Sequence, residues 1–92
     1  MRLSNELEII LSLLSVKPMQ LGQIITLFQA FSSRIHLNYH ALETSVIIDL
    51  KRLRQLKLIR RTGIRKLYVY HITNRGLKLL IQNQLKKLLL IS

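Results

Sequence analysis

"LKRLRQLKLIRRTGIRKLYVYHITNRGLKLL", residues 50–80, decides how this chain folds. Leu50, Leu53 and Leu56 step by three, as one face of a helix does. Leu58–Thr62 and Lys66–Ile72 are then rich in β-forming residues, with Gly63 in the short turn between them. That is a hairpin signal. Thr73 stands as a cap before a run with helical period over about 74–91. The stretch therefore reads as the end of a helix, a hairpin and the start of another helix. It is also charged in one sense only. Lys51, Arg52, Arg54, Lys57, Arg60, Arg61, Arg65 and Lys66 follow one another with no acidic residue among them.

Upstream, Leu42, Val46, Leu50, Leu53 and Leu56 form one stripe, which predicts a helix over about 40–56. Leu21, Ile24, Ile25, Phe28 and Phe31 predict another over about 20–32, in which Gly22 costs about 1 kcal/mol relative to Ala. Leu3, Leu7, Ile10, Leu11 and Leu14 predict a first helix over 4–16. Ser4 or Asn5 can cap it, with Glu8 three residues after Asn5 as in a capping box. Ile9, Leu13 and Val16 widen its apolar arc past what one neighbour needs, a surplus expected to be buried against a second copy. Pro18 ends it, and Lys17–Gln20 reads as an extended link. Ser32–His40 is a polar connector, and Gly76 falls in the first turn of the last helix, where its cost is small.

The order is helix, helix, helix, hairpin, helix: a mainly α chain with a small β-hairpin. Its 92 residues suffice for one domain, 1–92. Apolar residues make up 49% and aromatics 5%, so the core is aliphatic. Cysteine is absent, which excludes disulfides, thiolate metal sites and a thiol nucleophile. Glu6 and Glu8 precede the first apolar run, which is wrong for a signal peptide, and no apolar run is long enough to span a membrane. A soluble, cytoplasmic chain is expected.

The net charge is +11, and it has a pole. Arg2 and Lys17 cancel Glu6 and Glu8 in residues 1–32, so all of it lies in 33–92. A domain this basic usually meets nucleic acid, or less often an anionic membrane.

Residues 50–80 resemble the recognition-helix end, the wing and the last-helix entry of the winged helix-turn-helix family of DNA-binding regulators. The entry motif of that family, Leu/Ile-Thr-x-x-Gly-x-x-Leu-Leu, is similar to Ile72-Thr73-Asn74-Arg75-Gly76-Leu77-Lys78-Leu79-Leu80. Lys57 stands where the family often has Gly, and the connector before the third helix is longer than the usual tight turn. The resemblance implies a three-helix core, a β wing and a C-terminal dimerisation helix. It also implies a transcriptional regulator of double-stranded DNA, located with the nucleoid.

Opposite the core stripe of the third helix, steps of 100° place His40, Thr44, Ile47, Ile48, Lys51 and Gln55. A helix fits the major groove, where Thr and Gln bond base edges and apolar groups meet thymine methyls. Thr44, Ile48, Lys51 and Gln55 are the expected base readers, with Arg52 and Arg54 for phosphates or guanine. On the hairpin, Arg60, Arg61, Arg65 and Lys66 would straddle a phosphate backbone or enter the minor groove. The plainer readings are a solvated helix face and an edge strand protected by charge. Ile47 and Ile48 would equally suit a protein partner, and a packaging protein without sequence preference would need the same basic surface.

Catalysis finds little support, because Glu6, Glu8, Glu43 and Asp49 form no pair near a His or Ser and no phosphate loop occurs. His36 and His40 are four apart, but they read as ordinary solvated histidines in the connector, so neither metal nor cofactor is expected. His71 reads as packing at a strand end. Finally, Leu77, Ile81, Gln84, Leu88 and Ile91 step by 4, 3, 4, 3, an a/d seam that predicts a homodimer through the last helix.

Overall fold

The computed structural model describes residues 3–31 and 39–91. Four helices pack with a small antiparallel sheet: α1 (Asn5–Val16), β1 (Met19–Gln20), α2 (Leu21–Phe31), α3 (Tyr39–Gln55), β2 (Ile59–Thr62), β3 (Val69–Ile72) and α4 (Asn74–Ile91). The helices fall close to the expected spans.

Ser4 caps α1, its Oγ accepting the Leu7 N–H at 3.3 Å. Because the cap is Ser4 and not Asn5, the expected capping box with Glu8 does not form. Glu8 lies one residue past the position that reaches back to the cap. Its carboxylate accepts instead from Lys87 Nζ of α4, at 2.6 Å. The wide apolar arc of α1 also has a different meaning from the one expected. Leu13 is buried and Ile9 packs against the core, because α1 lies against α2, α3, α4 and β3 together. It is the central helix, not a helix with surface to spare.

Lys17–Gln20, expected as a link, contains a strand. Met19 pairs with Tyr70 and Gln20 with Val69, so the sheet order is β1-β3-β2. Met19 is buried beneath it. The Gln20 N–H is held by Gln23 Oε1 at 3.1 Å, the back half of a capping box that starts α2.

Leu42, Val46, Leu50 and Leu53 of α3 are all buried, as their spacing predicts. The helix ends in a Schellman turn. Lys57 N–H donates to Arg54 O and Leu58 N–H to Leu53 O, each at 3.0 Å. Leu53 and Leu58, the apolar pair of that motif, are both buried. Lys57 holds the left-handed position with φ 64°. The structure thus gives a reason for glycine at this point and shows that a lysine occupies it under strain.

The next joint ties this turn to α4. Thr73 Oγ1 accepts the Gly76 N–H at 3.1 Å, capping α4, and donates to Lys57 O at 2.8 Å. Thr73 N–H donates to Leu58 O at 3.0 Å. Gly76 packs so tightly here that a Cβ would collide with the Leu58 carbonyl oxygen. Its role is close approach, which its position in a first helical turn does not reveal.

The hairpin is shorter in strand and longer in loop than expected. β2 and β3 pair from Ile59↔Ile72 to Thr62↔Val69, and residues 63–68 lie outside both strands. Gly63 at φ 95° and Lys66 at φ 74° leave the extended region, which overrides the β-preference of Leu67 and Tyr68. Leu67 N–H closes a turn on Ile64 O at 2.8 Å.

Candidate nucleic-acid interface

The residues expected to make contacts lie on two surfaces, which follow one another in the chain across the Schellman turn. The first is the α3 face opposite Leu42, Val46, Leu50 and Leu53. His40, Thr44, Ile47, Ile48, Lys51, Arg52 and Gln55 are exposed there, Ile48 at 54%. His40, Ala41, Thr44, Ser45 and Ile48 line a shallow depression in this face. Thr44 Oγ1 donates to His40 O at 3.0 Å, so its hydroxyl proton is used within the helix. Its lone pairs remain available as acceptors.

Arg54 does not join this face. It is half-buried beside the core stripe, and its buried Nε has no hydrogen-bond partner among the described residues. Its helical angle is the reason: it follows Leu53 by one step and Leu50 by four, which places it on the flank.

The second surface is the hairpin. Alternation along β2 sends Arg60 and Thr62 to one side of the sheet, and Arg61 to the side of buried Ile59. The two arginines therefore do not act as one pair. Arg61 lays its guanidinium over the Tyr68 ring, 4.0 Å from the centroid. That cation–π contact holds the charge in place without neutralising it. On the other side Thr62 Oγ1 meets His71 Nε2 at 2.9 Å, a bond that fixes the outer face of the hairpin. His71 thus bonds across the strands and does not simply pack at a strand end. Arg65 and Lys66 are exposed within the loop turn.

Two residues here carry no signal in the sequence pattern. Ile64 and Leu67 are exposed at 72% and 58%, at the hairpin tip among the basic residues. Leu67 belongs to the run 66–72 expected as a strand, and the positive φ of Lys66 removes it from one.

Not all the basic residues converge on these two surfaces. Arg75 and Lys78 of α4 rim a separate groove of about 450 Å³, floored by Leu56, Leu58 and Leu79. Among the described residues no group of three metal-type ligands forms, and His36 lies outside those residues. No helix among them is long and apolar enough to cross a membrane.

On α4, Leu77, Ile81, Gln84 and Leu88 are exposed along one side, Leu88 at 63%. Leu85 lies beside Gln84 and is exposed with them, a member that the strict 4, 3 stepping passes over. The side chain of Ile91 lies outside the described residues. Of the surplus expected on α1 only Val16 stays exposed, at 78%, next to exposed Phe31 over a groove of about 420 Å³.

Comparison with protein families, with curated proteins and with solved structures gives no match.

Proposed function

We propose that the chain is a winged-helix regulator of transcription that binds double-stranded DNA with sequence preference. One observation carries this reading: an exposed, polar-and-apolar face of α3 is followed at once by a hairpin with no acidic residue, and both lie in the part of the chain that holds all of the net charge. In this reading α3 enters the major groove, where Thr44, Ile48, Lys51 and Gln55 read base edges and thymine methyls. Arg52 binds phosphate. Arg60, Arg61, Arg65 and Lys66 of the wing hold the backbone or the minor groove and supply affinity. Arg54, half-buried on the flank, reaches phosphate only with its terminal nitrogens. In this reading the seam on α4 joins two copies, so that two recognition helices meet neighbouring half-sites, and binding to DNA keeps the protein with the nucleoid.

Exposed Ile47 and Ile48 favour a second reading, a winged-helix module that docks a protein. A packaging protein is the third. Selection of bound duplexes from a random pool separates them. A defined motif supports the regulator, binding without a motif supports packaging, and no binding in low salt supports the protein-docking module. Substituting Arg60, Arg61, Arg65 and Lys66 by Ala should weaken binding alike for all sequences. The log–log salt slope should become shallower by about one unit for each phosphate that is no longer neutralised. Unaltered affinity and slope in that variant would remove the wing from the account.

A further inference from the structure

The hairpin tip has the wrong residues for a solvated loop. Turns favour Gly, Asn, Asp, Ser and Pro, for conformational freedom and for local hydrogen bonds. This one places Ile64 and Leu67 at the two ends of a hydrogen-bonded turn, with Arg65 and Lys66 between them. The Leu67 N–H to Ile64 O bond brings their backbones within the span of a β-turn, so the two apolar side chains start from neighbouring points. Lys66, third in that turn, has a positive φ of 74°, which glycine or asparagine would take with less strain. Gly63 at φ 95° is itself constrained, since a Cβ there would press on Leu67 O. The tip is therefore a shaped turn, and two of its large exposed side chains are apolar, Ile64 at 72% and Leu67 at 58%.

We infer that Ile64 and Leu67 form a wedge that enters the minor groove and partly unstacks a base step. The inference rests on the proposed DNA binding and specifies what the wing does there. Charge complementarity selects this occupant. Arg65 and Lys66 stand between the two apolar side chains, Arg60 and Arg61 lie behind them on β2, and residues 50–80 contain no acid to balance them. Arg61 stacks over Tyr68, which directs one of these cations along the hairpin behind the tip. Proteins that kink duplexes from the minor groove combine these parts: basic side chains on the phosphates and apolar side chains between bases. The cost of unstacking is smallest at TA and CA/TG steps, so those steps should lie under the tip.

The test uses the full chain and duplexes with 2-aminopurine at a TA step, scanned through the bound site. Wild type should raise 2-aminopurine emission severalfold at one step and bend the duplex in an end-labelled energy-transfer assay. Ile64→Ser/Leu67→Ser should abolish both signals. It should leave the salt slope of binding unaltered, because no cation is removed. Ile64→Met/Leu67→Met should restore them. Both positions are exposed, and equal melting curves confirm that the variants fold. Binding without any emission change, or a signal that persists in the serine variant, overturns the wedge and leaves DNA binding standing. Absence of binding to any duplex overturns both. If the serine variant loses affinity for anionic phospholipid vesicles while its duplex signals persist, the tip is a membrane contact and the wedge is wrong.

Discussion

Gly76→Ala separates two physical accounts of one residue. Helix propensity alone makes the change favourable, by up to about 1 kcal/mol for Gly to Ala within a helix. The structure predicts the opposite sign. The new Cβ would collide with the Leu58 carbonyl oxygen and press on Ile72 Cγ1. To relieve this, α4 must withdraw from the end of α3. Withdrawal breaks the Thr73 N–H bond to Leu58 O and the Thr73 hydroxyl bond to Lys57 O. At about 0.5–1.5 kcal/mol each, those two bonds account for roughly 1–3 kcal/mol. Partial exposure of Leu58 and Leu80, now buried, adds about 0.8 kcal/mol per methylene uncovered. With about two to three methylenes uncovered and the propensity gain subtracted, the net loss is roughly 2–4 kcal/mol. For a domain of this size that lowers the melting temperature by roughly 10–30 °C. Gly22→Ala is the control, because nothing lies within 4 Å of its added Cβ. It should stabilise slightly. Circular dichroism melts of the three chains at equal concentration decide the matter, since self-association would make melting concentration-dependent. A Gly76→Ala chain that melts at or above wild type would refute the close-approach argument.

Other outcomes follow from residues already described. Lys57→Gly should raise stability by about 0.5–1 kcal/mol, as relief of a left-handed lysine outweighs the entropy of glycine; a lower urea midpoint would contradict this. Changing Thr44, Lys51 or Gln55 to Ala should relax preference at particular base positions by about 1–3 kcal/mol for each base pair read. Selection that returns the wild-type motif would put base reading elsewhere. Leu85→Glu/Leu88→Glu should convert a dimer to a monomer in sedimentation at micromolar concentration; a monomeric wild type, or a fully dimeric variant, would rule out the α4 seam.

Much of the architecture is legible in the sequence because it repeats. The α3 stripe recurs often enough to identify both its buried face and the face opposite. The same 100° steps contain the signal that Arg54 lies on the flank, and the period of two along β2 separates Arg60 from Arg61. β1 is not legible, because two residues show no period; its pairing is decided by the open edge of β3. The centrality of α1 is hidden for a related reason. A wide apolar arc records how many neighbours a helix has, but not whether they belong to the same chain. Gly76 and Lys57 depend on each other's surroundings across the hairpin, and no local pattern reports such an approach. The apolar tip escapes because Leu67 heads a run of β-formers, Tyr68–Ile72, whereas the positive φ at Lys66 turns the chain there.

The Thr73 joint also bears on the order in which the chain can assemble. Its bond to Lys57 closes a loop with a sequence separation of 16, whereas the Glu8–Lys87 bond closes one of 79. Each doubling of loop length adds about 0.6 kcal/mol of closure entropy, so the longer loop costs roughly 1.4 kcal/mol more. The end of α3, the hairpin and the start of α4 can therefore knot together as a local unit before the chain termini meet. The contact of α1 with α4 is thus the entropically dearer one, whereas its contact with α2 spans a short stretch of chain.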